Sequence, residues 1–191
     1  MQKPSGYDDA QVFTGEFETL EPGGYVCVIR QAVIDKTQTG KERINLLIDI
    51  AEGEKQGYFK RRFDDDVKFD GNAKWKGVYR QITEGSSTPF FKGLMTSIEA
   101  SNPGYKWNWD EKSLAGKLVG VIFGREQYRA LDGNLKWAVK PFGARSVDTI
   151  RKGVEPPKDK YLSDSSASIN NGYATNDDFA VVSADVEDLP F

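Results

Sequence analysis

Between Arg43 and Ala51 the chain places Ile44, Leu46, Ile48 and Ile50 at strict period two. Only an extended strand sends alternate side chains to one side, so this stretch predicts a half-buried β-strand that needs partners around it. Candidate partners lie on both sides in sequence. Glu21-Pro22-Gly23-Gly24 has turn chemistry and leads into Tyr25 to Asp35, rich in Val and Ile, and Thr37-Gln38-Thr39-Gly40-Lys41 makes a polar turn to the alternating stretch. After Glu52 to Gly57, a second turn, Tyr58 to Phe63 is expected as a third strand, completing an antiparallel meander.

The middle of the chain changes period. Trp75, Val78, Tyr79 and Ile82, within residues 72 to 82, suit one helical face. Thr88-Pro89 offers an N-cap and a first-turn proline to a helix carrying Phe90, Phe91, Leu94, Met95 and Ile98, which Ser101-Asn102-Pro103-Gly104 ends. Period two returns from Gly116 to Tyr128 and, across Asp132-Gly133-Asn134, from Leu135 to Phe142. The fold class predicted is mainly β: a five-stranded OB-fold-like barrel with a helical insertion between strands 3 and 4. Such barrels bind oligonucleotides on the face around their second and third strands.

Charge divides the chain in two. From Gly153 onward eight acids stand against two lysines, so this stretch carries −6 of a net −3 and leaves the body at +3. Its Pro, Ser, Asn and Gly show no strand or helix period, which predicts a disordered acidic tail over residues 153–191 behind the OB-fold-like domain over 1–152. A free chain end normally avoids apolar residues, yet here Asp185, Glu187 and Asp188 lead into Leu189-Pro190-Phe191. Phe191 can fill a pocket, Pro190 stiffens the approach, and the carboxylates can meet Lys or Arg at the rim.

Several function classes are disfavoured. Histidine is absent, which removes the commonest general base and the commonest metal ligand. Asp64-Asp65-Asp66 with Asp70 are neighbours on one segment, whereas a two-metal site draws acids from separate elements. Gly40-Lys41 lacks the spacing and the following Ser or Thr of a phosphate-binding loop. No catalytic residue, metal or cofactor is expected. The lone Cys27 sits in an apolar stretch as a buried spectator, and with no apolar run long enough to span a membrane the expected location is the cytoplasm.

Single-stranded nucleic acid needs cations along its phosphates and flat rings on its bases, each stacked base contributing about 1–3 kcal/mol. The body interleaves the two repeatedly. In Tyr58-Phe59-Lys60-Arg61-Arg62-Phe63, read as a strand, both faces carry a cation and an aromatic, which is odd for a purely structural element. Arg30, Lys60, Arg61, Arg62, Lys74 and Arg145 are the candidate phosphate contacts, with Phe63, Trp75, Trp107 and Trp109 as stacking platforms. Lys136-Trp137 with Lys140, and Arg125 with Tyr128 and Arg129, extend the pattern. Aromatics of a small barrel more often fill its core, and Phe90, Phe91 and Phe123 are assigned there.

Two stretches resemble known families. Leu20-Glu21-Pro22-Gly23-Gly24-Tyr25, the strand after it, the Thr/Gly/Lys turn, Ile44-x-Leu46-x-Ile48, and the later Phe142 to Arg151 resemble small phage-encoded single-stranded-DNA-binding proteins of Gram-positive bacteria. The acidic Leu189-Pro190-Phe191 end resembles the tip of bacterial single-stranded-DNA-binding proteins. The first resemblance implies an OB-fold that protects single strands during phage replication and recombination in the host cytoplasm. The second implies docking of a helicase, polymerase, primase or recombinase. A free barrel edge and a self-pairing face look alike in sequence, so a homo-oligomer is among the partners allowed. The competing expectation is a β-scaffold adaptor that binds no DNA and docks a host enzyme through the same tip.

Overall fold

The computed structural model describes Gln2, Lys3, Tyr7 and residues 19–162. Five antiparallel strands form one sheet in the order β3-β2-β1-β4-β5. The strands are β1 (Gly23–Lys36), β2 (Glu42–Ile50), β3 (Val78–Ile82), β4 (Leu118–Arg129) and β5 (Leu135–Arg145). Two α-helices interrupt them, α1 (Tyr58–Phe69) and α2 (Thr88–Ser101), and α3 (Val147–Arg151) follows the last strand.

β1 is the longest strand and serves two neighbours. Its first half pairs with β4 from Gly23↔Phe123 to Val28↔Leu118, and its second half pairs with β2 from Cys27↔Ile50 to Lys36↔Glu42. The register slips between Ile29 and Gln31, leaving Arg30 as a bulge at the handover. A bulge bends and twists its strand, so one chain can feed two differently directed halves of a sheet.

The expected closed barrel is not formed. Among the described residues no ladder joins β3 to β5, and the sheet is open. β3 has only five residues, and β5 is poorly equipped to accept another strand. Pro141 has no N–H to give, and Ile122↔Gly143 followed by Phe123↔Pro141 leaves Phe142 outside the ladder. The insertion expected between the third and fourth strands is present as α2, which contacts β3, β4 and β5. A helix, and not a hydrogen-bond ladder, therefore spans the sheet's two edges. Leu94, Met95 and Ile98 of α2 meet Ile44, Leu46, Ile48, Ile50 and Phe123 in one core. Phe91 packs against it, but Phe90, one position off that stripe, is half exposed and not the core residue expected.

Two further expectations are corrected. Tyr58 to Phe63 is the start of α1, not a strand. Tyr58, Phe59 and Phe63 are buried on one side, while Lys60 pairs with Asp64 and Asp65 with Lys68 across single turns. The mixed faces of the strand reading resolve at period 3.6. Conversely, the helical face read over 72–82 contains β3: Tyr79 joins the core, and Trp75 precedes the strand, its indole N–H donating to the carbonyls of Ile48 at 3.0 Å and Gly77 at 3.1 Å. A five-residue segment with apolar positions 78, 79 and 82 satisfies either period. β2 itself is buried on both faces, not half-buried, with Arg43 only 2% and Asn45 and Asp49 0% exposed. Cys27 is buried as expected, and burial pushes its thiol far above the ordinary range, helped by the Asp49 charge.

Gly77 marks where α1 presses on the sheet. A Cβ there would lie 2.4 Å from the Ile48 carbonyl oxygen and 2.6 Å from the Phe59 ring, whereas one on Gly71 would meet nothing within 4 Å. Gly77→Ala should lower unfolding free energy by about 2–3 kcal/mol, and Gly71→Ala should leave it within about 0.5 kcal/mol, in urea titrations.

Candidate nucleic-acid interface

The ten residues expected to contact DNA fall into three places. The largest group surrounds α1. Asp49, at the end of β2, accepts from the backbone N–H groups of Ile50 at 2.9 Å and Phe59 at 3.0 Å, and from Arg30 at 3.3 Å. One buried carboxylate thus ties the β1 bulge to the first turn of α1. On that helix Lys60 pairs with Asp64 at 3.0 Å, Arg61 donates to the Gln56 carbonyl, and Arg62 donates to the Tyr58 hydroxyl at 3.2 Å. Successive helical residues diverge by about 100°, so these three cations do not form the row a strand would make. Phe63 is 5% exposed and its ring lies 5.6 Å from half-buried Trp75. Both are structural, leaving Lys74 exposed beside them.

Trp107 and Trp109 lie near the other end of β2. They border a cavity of about 290 Å³ with Phe91, Ile34 and Ile44. The rest of its wall is Thr83 and three acids, Glu42, Glu84 and Glu111. Asp49 and Glu42 are seven strand residues apart, on the order of 20–25 Å, so these indoles do not share a groove with the α1 cations. Arg145 occupies a third place, exposed at the end of β5 opposite Gly120 of β4 and donating to the Ala144 carbonyl at 2.8 Å.

Sequence reasoning missed the charge pair between β1 and β2. Asp35 opposes Arg43 in the register and receives both its Nε at 2.9 Å and its Nη2 at 2.8 Å. The Arg43 hydrogen bonds, with Asn45 and the charges of Arg43 and Arg80, hold the Asp35 carboxyl below its usual range. Asn45 stands opposite Val33 on one side and exposed Arg80 on the other. Folding the predicted hairpin about its 37–41 turn would have paired Asp35 with Arg43.

The β4–β5 hairpin extends beyond the β1 ladder as a two-stranded arm. There the Arg125 guanidinium lies 4.7 Å from the Trp137 ring centroid, and Trp137 meets Tyr161 edge-on at 5.1 Å. After α3 the chain runs back along β4, where Lys160 donates to the Arg125 carbonyl at 2.9 Å and accepts from Gln127 N–H at 2.8 Å. Glu126, buried beneath, pairs with Lys160 at 2.7 Å and Lys140 at 2.9 Å. Burial alone would raise its pKa, but the two ammonium groups outweigh that and hold it low. The tip residues Asp185, Glu187, Asp188, Leu189, Pro190 and Phe191 lie outside the described residues.

No protein-family model matches the chain, and no curated protein matches it. Among the described residues no cluster of His, Cys, Asp or Glu could hold a metal ion, and no helix is long and apolar enough to cross a membrane.

Because Glu126 ionises more readily folded than unfolded, its contribution is complete at neutral pH and disappears as pH falls from the ordinary glutamate range through its depressed value. Glu126→Gln should lower stability near neutral pH, shrink the wild-type loss as pH falls below the ordinary glutamate range, and speed proteolysis within 153–162. Urea unfolding at each pH and a timed protease digest measure these effects.

Proposed function

We propose that this protein binds single-stranded DNA without sequence preference, on an open five-stranded sheet with OB-type connectivity, serving phage DNA replication, recombination or repair. The connectivity carries this reading. A closed OB barrel runs β1-β2-β3-β5-β4 back to β1; opening it between β3 and β5 gives β3-β2-β1-β4-β5, the order observed, with α2 in the usual place between β3 and β4. A long β1 shared between β2 and β4 belongs to the same arrangement. OB-folds are commonly only partly closed and bind strands across the β2–β3 face and the loops flanking it.

Here that surface offers Arg30 and Arg80 on the β1–β3 side, and Arg125, Lys136, Lys140 and Trp137 on the arm. Several of these cations already have carboxylate partners. Phosphates would take the carboxylates' place, at low cost where the pair is exposed to water. Binding should therefore depend steeply on salt. The acidic end, in this reading, competes weakly for the same cations and recruits a replication or recombination protein through Phe191 once DNA displaces it.

A second reading, the adaptor that binds no DNA, draws support from the same pairing, since Lys60, Lys106, Lys140, Arg125 and Arg151 all meet acids within the protein. A tryptophan-fluorescence titration with oligo-dT separates the two. Expected are quenching, affinity falling about 10-fold or more between 50 and 200 mM salt, and weakening by about 3- to 30-fold on Arg80→Ala or Trp137→Ala. Removing residues 185–191 should leave DNA affinity equal or higher. Absence of binding at low salt leaves the adaptor reading standing.

A further inference from the structure

The cavity beside α2 is the least expected surface of a protein read as a DNA binder, because its charge has the wrong sign. Glu42, Glu84 and Glu111 share the wall with Trp107 and Trp109. Their charge is not neutralised. Glu42 accepts from the Thr83 hydroxyl at 3.1 Å and Glu84 from the Glu42 backbone N–H at 3.0 Å, both neutral donors. Among the described residues no Lys or Arg forms an ion pair with any of the three. A phosphodiester entering here would meet three carboxylates, so the rings do not serve as base platforms.

The aromatic side is held in place. Glu99 of α2 accepts from the Trp107 backbone N–H at 2.9 Å and from Lys106 at 3.0 Å, fixing the 106–107 segment to the helix. Trp109, 6.2 Å from Trp107 between centroids with planes tilted 55°, is 79% exposed. Its φ of 66° is the only positive value at a non-glycine position among the described residues. A bulky residue held left-handed costs about 1–3 kcal/mol, and such strain concentrates at ligand sites. Hydrophobic burial does not explain it, because this indole stays in water.

We propose that this cavity captures an arginine side chain from a basic segment of a partner protein. Electron-rich ring faces and uncompensated carboxylates around one hollow favour a cation, and a cation lying against an indole gains further attraction once partly desolvated. Guanidinium fits better than ammonium because it is planar, weakly hydrated, and able to stack on a ring while its edge donates to carboxylates. The cavity is also small, near the lower limit of ligand pockets, which suits one side chain. The site is independent of the DNA-binding reading and stands if that reading fails.

The test uses the full chain, 15N-labelled, whose four tryptophans each give one indole N–H signal. Titration with a blocked Gly-Arg-Gly peptide should move the signals of Trp107 and Trp109 and leave those of Trp75 and Trp137 in place. The same peptide with citrulline, a neutral isostere of arginine, should move none. Trp109→Ala should weaken binding about five- to thirty-fold, and Glu111→Gln about two- to five-fold. Both side chains are at the surface or its margin, so an unchanged urea transition separates lost binding from lost folding. Equal shifts from the citrulline peptide, no shifts in the millimolar range, unaltered affinity in both variants, or displacement of the Trp107 and Trp109 signals by oligo-dT would each overturn the proposal.

Discussion

The structure depends on β1 being shared. A strand that pairs with β4 over one half and β2 over the other must change direction midway, and the bulge at Arg30 is where it does so. The residue left over at the bulge is a cation, and the buried Asp49 carboxylate receives it while also accepting from the backbone of α1. The bend in the sheet, the position of α1 and the placement of one positive charge are thus settled together. Removing that carboxylate would leave buried N–H donors without acceptors, each costing about 1–3 kcal/mol.

Once the sheet is bent, its two ends acquire opposite characters. Near α1 and on the arm, guanidinium and ammonium groups lie beside aromatic rings, and most are held by acids that water or phosphate could replace. Near α2, the rings of Trp107 and Trp109 stand among acids that, among the described residues, pair with no cation. A net charge close to neutral conceals this separation, since neither end dominates the total. The proposed strand-binding surface and the proposed arginine pocket follow from one partition of charge.

How much of this was legible can be judged residue by residue. The alternation at Ile44, Leu46, Ile48 and Ile50 located β2 because strong apolar side chains at period two admit one geometry. Pro89 near the start of an apolar 3.6-residue stripe located α2 for a similar reason. The errors came from short segments compatible with both periods. Tyr58 to Phe63 has aromatics and cations at every position, so six residues could not tell a strand from a helix; the helical turns that settle it need Asp64, Asp65 and Lys68. Val78, Tyr79 and Ile82 fit a helical face equally well until the ladder with β2 claims them. Sheet closure was illegible for a different reason, since it depends on which distant edges meet. Pro141 in the last strand was the available warning. The acidic surroundings of Trp107 and Trp109 come from residues 42, 84 and 111, which only the fold brings together.

In the proposed complex unpaired DNA follows the accessible cations Arg30, Arg80, Arg125, Lys136 and Lys140, from the β1 bulge and β3 to the β4–β5 arm, away from α2. Hydrogen–deuterium exchange with and without oligo-dT tests this most directly. Slowed exchange should be confined to β3, the 37–41 turn and the 124–140 arm, with the 106–111 segment unchanged. Protection centred on 106–111, or none anywhere at low salt, would contradict it.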